Sequence, residues 1–188
     1  KLIEVAYDPY LPGFEILIPG LITAFDAGTS SDAEMAAAID VLRDWDFSVS
    51  ADSVAMSLAH FYGTRYVKEG DNPDELDGMD LVNYFGTQSP PEERLKIFAK
   101  TLAGLQADFG QWNTPWGEIN RFQRLNGDID LPFNDGAASL PVGMASGRWG
   151  ALASFGAKRF PGTKRIYGSS GNSFVAVVEF GDKVKAKS

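Results

Sequence analysis

The sequence predicts an α+β protein, a mainly helical chain that ends in an antiparallel β-hairpin. Three observations predict this class. Apolar side chains recur at helical spacing over about residues 12–108. Glycine and proline then interrupt every periodic stretch between about 111 and 168, which is typical of loops and short strands. A β-branched stretch at 173–180 and an alternating stretch at 183–187 follow, and together they have the pattern of two paired strands.

Length and composition fit one globular domain over residues 1–188, with a helical part at about 8–110 and a loop- and strand-rich part at about 111–188. The 188 residues are 44% hydrophobic and 12% aromatic, which is enough to build a buried core. No apolar run approaches the roughly 20 residues of a membrane-spanning helix. The composition therefore excludes collagen, coiled coil and disorder, and we expect no membrane partner.

Charge argues against a nucleic-acid partner. The formal net charge is −8, from 17 basic and 25 acidic side chains, and an acidic chain repels both nucleic acid and anionic lipid. The charge is uneven, because residues 1–100 hold 7 basic and 18 acidic side chains whereas residues 101–188 hold 10 and 7. We interpret the acidic half as the solvated surface of helices.

Cysteine and histidine usage limits metals and cofactors. The chain has no cysteine and one histidine, which excludes disulfides, thiolate zinc sites, iron–sulfur clusters and histidine-rich sites. The acidic loop at 71–80 lacks the ligand spacing of a calcium-binding loop. We therefore expect no cofactor and no metal ion.

Helix starts are marked by two capping boxes, Ser31-Asp32-Ala33-Glu34 and Ser89-Pro90-Pro91-Glu92. In such a box the hydroxyl and the carboxylate each satisfy a backbone N–H of the first turn. The boxes predict helices over about 31–45 and 90–109. A further helix is predicted at Ala51–Lys68.

An earlier apolar stripe, from Phe14 to Phe25, also has helical spacing. Pro19 and Gly20 lie inside it, and we expect them to kink or split the helix. A short segment that ends at Phe85 is a further helical candidate.

The usual catalytic templates are incomplete in this chain. Gly168-Ser169-Ser170-Gly171 lacks the spacing of a nucleophile elbow, and Gly156–Lys164 has one residue too many for a phosphate-binding loop. His60 falls on the side of its helix opposite the main apolar stripe, and spacing fixes no serine or carboxylate partner for it. We interpret His60 as a structural histidine rather than a catalytic base.

Three local strings combine aromatic, acidic and amide side chains in an unusual way. Each has a structural interpretation, because such residues also serve as caps, turns and alternating strands. Ser53, Ser170 and Ser173, which lie in these strings, are interpreted as caps or turns. The strings are Trp45-Asp46-Phe47-Ser48-Val49-Ser50-Ala51-Asp52-Ser53, Trp116-Gly117-Glu118-Ile119-Asn120-Arg121 and Gly171-Asn172-Ser173-Phe174 with Val177-Val178-Glu179-Phe180.

In order and separation, the three strings resemble the C-terminal half of the β chain of the penicillin amidase family, the N-terminal-serine hydrolases. The first resembles the family's "W-D … S-A-D-S" join, the second its "W-G-D-[LV]-N-R" segment, and the third its "G-[ND]-S-[FY] … V-E-[FW]" stretch. The last two are most similar to the branch with acyl-homoserine-lactone and aculeacin acylases. The resemblance extends from about Asp8 to Ser188.

The resemblance implies an acylase that hydrolyses a linear amide between an acyl chain and a polar amine. Family precursors are cut into α and β chains, and the exposed serine uses its own α-amine as base. That serine and the oxyanion asparagine lie upstream of the segment resembled, and the family's closing stretch lies downstream. We therefore expect this chain to be a fragment that is inactive alone.

Glu179 is the one candidate site residue that the resemblance supplies. It matches an acid that supports the network around the N-terminal serine in some members. The resemblance also implies an αββα sandwich in the parent, a calcium site outside this segment where one exists, and a periplasmic or secreted location. The implied partners are the remaining α- and β-chain segments and a small-molecule amide.

A different class of protein remains open, a non-catalytic helical module whose aromatic residues line a ligand or partner groove. A degenerate family member kept for scaffolding is a third possibility. The natural reading frame separates these hypotheses. An upstream serine-starting junction supports the enzyme, and an initiator Met beside Lys1 supports the module.

Overall fold

The computed structural model describes residues 2–28, 32–124, 132–172 and 175–187, and it confirms the α+β class. Helices account for most of the first 119 residues, and short strands follow. No helix in these ranges is long and apolar enough to cross a membrane. The helices are α1 (Leu2–Ala6), α2 (Phe14–Ala27), α3 (Ala33–Arg43), α4 (Val54–Glu69), α5 (Gly78–Thr87), α6 (Pro91–Phe109) and α7 (Trp116–Ile119).

Helix α3 begins one residue later than the capping box predicts. Its cap is Asp32, whose Oδ1 accepts hydrogen bonds from the backbone N–H groups of Glu34 and Met35 at 3.0 and 3.1 Å. Aspartate is as good an N-cap as serine, and its charge also favours the positive end of the helix dipole. The helix predicted at 31–45 is confirmed, whereas Ser31 lies outside the described residues.

The second capping box does not form. Helix α6 begins at Pro91. Proline is tolerated there because backbone N–H groups of the first helical turn make no hydrogen bond within the helix. The buried Ser89 hydroxyl instead donates to the Phe85 carbonyl at 2.7 Å. It also accepts hydrogen bonds from the Tyr66 hydroxyl at 2.6 Å and from Arg94 Nε at 3.1 Å. Ser89 thus ties α4, α5 and α6 together rather than capping α6.

Helix α2 is continuous through Pro19 and Gly20, so the predicted split is wrong, and the alternative of a kink stays a prediction. The glycine is required by packing rather than by a break in the helix. A Cβ on Gly20 would lie 2.0 Å from the carbonyl oxygen of Gly86 in α5, so the two backbones touch at this crossing. Close packing against α5 therefore explains the glycine at position 20.

Aromatic side chains from both parts of the chain meet in one core. The Phe14 ring stacks on Trp149 with their centroids 4.5 Å apart, and Tyr66 stacks on Phe85 at 3.9 Å. All four residues are at most 1% exposed. Because Trp149 comes from the loop-rich part, the helical part does not close its core alone.

The strands form two sheets. One is four-stranded, with the order β2-β1-β4-β3, in which β1 and β4 are parallel and the other pairs are antiparallel. The second is the predicted hairpin of β5 and β6, which is confirmed but is shorter than 173–180 and 183–187; Ser173 and Phe174 lie outside the described residues. The strands are β1 (Asn120–Phe122), β2 (Leu140–Pro141), β3 (Phe155–Arg159), β4 (Ile166–Gly171), β5 (Val177–Glu179) and β6 (Lys185–Lys187).

Candidate functional site

Glu179, the predicted supporting acid, ends strand β5. Its side chain is exposed, and its cross-strand neighbour is Lys185 of β6. Among the residues that the structure describes, β5 pairs with β6 alone, so Glu179 is not brought to the four-stranded sheet. An exposed carboxylate on a two-stranded hairpin is available to a neighbouring chain segment. Its role as a supporting acid stays a prediction.

The string at 45–53 forms the turn that leads from α3 into α4. Trp45 Nε1 donates to the Ser48 carbonyl at 2.9 Å, and the Ser48 N–H donates to Asp46 Oδ1 at 2.9 Å. Phe47 between them has φ of 61°, a conformation that non-glycine residues adopt rarely. These side-chain bonds hold the turn against that strain.

Ser53 caps α4, which explains why this helix begins at Val54 and not at Ala51. Its Oγ accepts a hydrogen bond from the Met56 N–H at 3.0 Å. This is the hydrogen bond by which an N-cap residue satisfies a backbone N–H of the first turn. The interpretation of Ser53 as a cap is therefore confirmed.

The second string lies directly beside the first. The Trp116 N–H donates to the Ser53 carbonyl at 3.1 Å, and the Gly117 N–H donates to the Ala51 carbonyl at 2.7 Å. A Cβ on Gly117 would lie 2.8 Å from the Ala51 Cβ, so glycine is needed for this close approach. The two strings therefore join α7 to the start of α4.

Asn120 and Arg121 continue this join into the sheet. Asn120 Nδ2 donates to the carbonyls of Val142 and Met144, both at 3.0 Å. Arg121 donates from Nε and Nη2 to the Ser139 hydroxyl and carbonyl at 2.9 and 2.5 Å. Both side chains thus satisfy backbone and hydroxyl groups of the segment around β2, which is a structural task.

The third string fastens the end of β4 to the start of β3. Asn172 Oδ1 accepts from the Ser154 N–H and the Ser154 hydroxyl at 2.7 and 2.9 Å. Ser170 is exposed and lies within β4 opposite Gly156 in the antiparallel ladder, so its interpretation as a cap or turn residue is wrong. No described hydrogen bond joins Ser170 to a basic side chain, so nothing here activates its hydroxyl.

His60 lies in an aromatic cluster that the sequence did not predict. Its ring centroid is 4.6 Å from that of Trp116 and 6.5 Å from that of Trp149. Burial, together with the positive charge of Arg148, lowers the pKa of His60 to about 4, so the imidazole is neutral at pH 7. His60, on the side of α4 opposite its apolar stripe, is therefore in contact with tryptophans from the second part of the chain.

A nucleophile–base pair is not formed among the residues that the structure describes. No serine hydroxyl there has a hydrogen bond to a histidine or lysine nitrogen, and His60 Nδ1 has no partner. In the same ranges no three His, Cys, Asp or Glu residues are grouped as metal ligands would be. Within the described ranges, neither a nucleophile–base pair nor a set of metal ligands is therefore present.

Asp135 is an organising residue that sequence reasoning missed. Its carboxylate accepts from the Lys164 N–H at 2.6 Å, from the Arg165 N–H at 3.3 Å and from the Tyr167 hydroxyl at 2.8 Å. Burial alone would raise the pKa of Asp135, but these hydrogen bonds lower it overall. Burial and the bond to Asp135 raise the pKa of Tyr167 to about 12. Apolar periodicity does not indicate a residue of this kind. The sequence feature that comes closest is the Asp135-Gly136 pair, which is typical of a turn.

Comparison with known protein families identifies the class. The family profile described as Penicillin amidase matches residues 1–188. Because the match covers the whole chain, the protein belongs to the penicillin amidase family, whose members are processed, multi-chain hydrolases of amide bonds. A search of curated proteins found no match.

Proposed function

We propose that this chain is the C-terminal half of the β chain of an acylase that hydrolyses a linear amide between an acyl chain and a polar amine. The family match over residues 1–188 carries this proposal. The contacts between the first two strings support it, because the strings that carry the resemblance lie against each other through Trp116 N–H to Ser53 and Gly117 N–H to Ala51.

The proposed branch is that of the acyl-homoserine-lactone and aculeacin acylases. The residues of the second and third strings support this branch, because they are most similar to its motifs. The substrate class is then the amide of a β-lactam side chain, an acyl-homoserine lactone or a lipopeptide. Such an enzyme would act in antibiotic metabolism or quorum sensing, and its proposed location is the periplasm or the outside of the cell.

Other segments of the parent complete the site in this proposal. The N-terminal serine, its α-amine base and the oxyanion asparagine come from the preceding part of the β chain, and the α chain is the further partner. This chain supplies Glu179 as a positioning residue for the serine's network. The exposure of Glu179 on β5 supports this role, because a buried acid could not meet another segment.

The test is made on the full parent enzyme. We expect Glu179→Gln to lower kcat/KM for a long-chain acyl-homoserine lactone on the order of 10–10²-fold, because a mispositioned nucleophile is slow. The matched control is Asp182→Asn, which removes another exposed carboxylate of the same hairpin and should leave kcat/KM within about twofold. The pH profile of kcat/KM should shift for Glu179→Gln and not for the control. Equal rates for both variants contradict the role of Glu179.

The isolated 188-residue chain should show no turnover above buffer with a chromogenic acyl-anilide or a long-chain acyl-homoserine lactone. Loss of the nucleophile removes several powers of ten in rate, and loss of an oxyanion donor removes roughly a further 10²–10³. Turnover that disappears in Ser170→Ala or Ser173→Ala would contradict this account.

A further inference from the structure

Two Asp-Gly pairs lie within the described residues, Asp77-Gly78 and Asp135-Gly136. In such a pair the backbone nitrogen of glycine can attack the side-chain carboxyl carbon of the preceding aspartate. Glycine favours the attack because it has no side chain to shield the nitrogen. The two pairs have the same covalent structure, so a difference in their reactivity must arise from the fold.

The pair Asp135-Gly136 is held at both reacting groups. The Asp135 carboxylate accepts the three hydrogen bonds described above, the shortest of them from the Lys164 N–H at 2.6 Å. The attacking nitrogen is also occupied, because the Gly136 N–H donates to Asn134 Oδ1 at 2.7 Å. The hydrogen bonds to the carboxylate lower the pKa of Asp135, which keeps this group in the ionised form that a nitrogen attacks poorly.

The pair Asp77-Gly78 is held at neither group. Asp77 is the N-cap residue of α5, but its exposed side chain makes no capping hydrogen bond. Within the described ranges this carboxylate has no ion pair. The Gly78 N–H likewise has no hydrogen bond there, as is usual for the first residue of a helix.

The surroundings of Gly78 leave space for a ring to form. A Cβ built on this residue would meet nothing within 4 Å beyond the adjacent chain. Gly78 also has φ of 51°, in the left-handed region that favours glycine. The fold therefore disfavours, at this position, any side chain that would slow the attack.

We propose that Asp77 is a site of spontaneous isomerisation to isoaspartate and that the fold protects Asp135 from the same reaction. The Gly78 nitrogen forms a bond to Asp77 Cγ, the C–OH bond of the protonated carboxyl breaks, and the hydroxyl leaves with the amide proton as water. The product is a succinimide. Water then opens the ring at the backbone carbonyl carbon to give isoaspartate, or at Cγ to restore aspartate. Water is the only co-reactant, and the inference does not rest on the proposed acylase activity.

Isomerisation changes the start of α5. In isoaspartate the main chain runs through the former side chain, and the original carbonyl group becomes a free carboxylate. In the unmodified chain the Asp77 carbonyl accepts a hydrogen bond from the Leu81 N–H at 3.2 Å, which closes the first turn of α5. The modified chain therefore loses the regular geometry of that turn.

The test is incubation of the 188-residue chain at pH 6 and 37 °C, in buffer and in urea. Digestion with a protease that cuts before aspartate but not before isoaspartate, followed by mass spectrometry, measures the two sites separately. In urea we expect similar rates at both sites, because the fold no longer distinguishes them. In buffer we expect Asp77 to react roughly tenfold or more faster than Asp135, since even one hydrogen bond to a charged group contributes about that factor.

Two variants assign the reaction to Asp77. Isomerisation gives a second form of the tryptic peptide 69–94 with unchanged mass, whereas deamidation of Asn126, which lies outside the described residues, raises the mass of a different peptide. We expect Asp77→Glu to abolish the second form, because glutamate keeps the charge but must close a larger ring. The matched control Asp74→Glu, at an exposed aspartate of the same loop, should retain it. Equal rates at Asp77 and Asp135 in buffer, including no reaction at either, would overturn the proposal, as would a second form that persists in Asp77→Glu.

Discussion

The two parts of this molecule are held together by different physics. Between Phe14 and Phe109 the helices bury apolar faces against one another, and side-chain hydrogen bonds such as those of Ser89 and Arg94 add links between helices. Beyond Gln111 the strands are two to six residues long, and side chains bond directly to backbone atoms far along the chain. Asn120 and Asp135 each make two such bonds to segments 22 or more residues away, and Arg121 makes one, to the Ser139 carbonyl 18 residues away.

This difference predicts which kinds of substitution destabilise each part of the protein. In the helical part, the free energy of apolar packing is distributed over many contacts. The most damaging substitutions there are those that add volume where two helix backbones touch, because a close-packed interior cannot accommodate it. A side chain that satisfies two carbonyls concentrates its contribution in one residue, so the second part is sensitive to single polar substitutions.

The largest effect is expected at the crossing of α2 and α5. Gly20→Ala places a Cβ 2.0 Å from the Gly86 carbonyl oxygen, and neither backbone can move without disturbing its helix. We expect a loss of about 3 kcal/mol or more in the free energy of unfolding, measured by urea titration. A stable Gly20→Ala protein would show that the helical core yields at this contact.

The matched control is Gly104→Ala on a half-buried side of α6. There a Cβ meets only the flexible Arg65 guanidinium at 3.0 Å, so alanine should raise stability by roughly 0.5–1 kcal/mol through helix propensity. Opposite signs for the two substitutions would confirm that backbone contact, rather than loss of glycine, decides the effect.

The next effect is a pH dependence that arises where the two parts meet. The pKa of His60 is about 4 when folded because burial excludes the charged form, and it is about 6.5 when unfolded. The unfolded state therefore takes up a proton as pH falls through 6.5, while the folded state does so only near pH 4. This contribution to stability is full above pH 6.5 and is lost as the pH falls towards 4.

Urea unfolding at pH 7 and pH 4.5 measures this loss. It should be larger for the natural chain than for His60→Phe by roughly 2–3 kcal/mol, because carboxylate titration is the same in both chains. An equal loss in both chains would mean that the tryptophans from the second part do not bury the imidazole.

The third effect tests the second part directly. Asn120→Ala leaves the carbonyls of Val142 and Met144 without their donor inside the protein, and we expect a loss of about 2 kcal/mol in unfolding free energy. Asn172→Ala is the matched control, because it also removes two hydrogen bonds but at an exposed site, where water replaces them. Its cost should be below about 0.5 kcal/mol. Equal costs would show that burial does not set the difference.

The same contrast explains what the sequence could predict. The helices followed from apolar spacing, because burial imposes a period of 3.6 residues on any packed helix. Their starts were less predictable, since Asp32 and Ser31 are equally good caps by residue type and Ser89 has a tertiary use that no local rule contains. The terminal hairpin followed from alternation and a Gly-Asp turn.

The candidate site was less accessible to sequence reasoning. Asn120, Asp135 and Trp149 act through partners 20 or more residues distant, and such distances leave no local pattern. The sequence placed His60 opposite the main apolar stripe but gave no sign of its aromatic neighbours, because the tryptophans that contact it lie beyond residue 115. The role of Glu179 came only from resemblance, and its local structure neither adds partners nor removes its exposure.

The smallest effect concerns an ion pair that joins the two parts on the surface. Arg159 of β3 donates from Nη2 to Asp108 Oδ2 of α6 at 2.6 Å, with side chains 43% and 28% exposed. Exposed pairs contribute little, because water solvates the separated charges almost as well. We expect Arg159→Met to lower the free energy of unfolding by about 0.5 kcal/mol, and by less in 1 M NaCl, where screening weakens the pair.

The control is Arg43→Met. It breaks the ion pair between Arg43 and Asp26, 2.8 Å apart within the helical part, and it should have the same small cost. A cost above about 2 kcal/mol for Arg159→Met alone would mean that charge, and not the aromatic contact around Trp149, holds the strand-rich part against the helices.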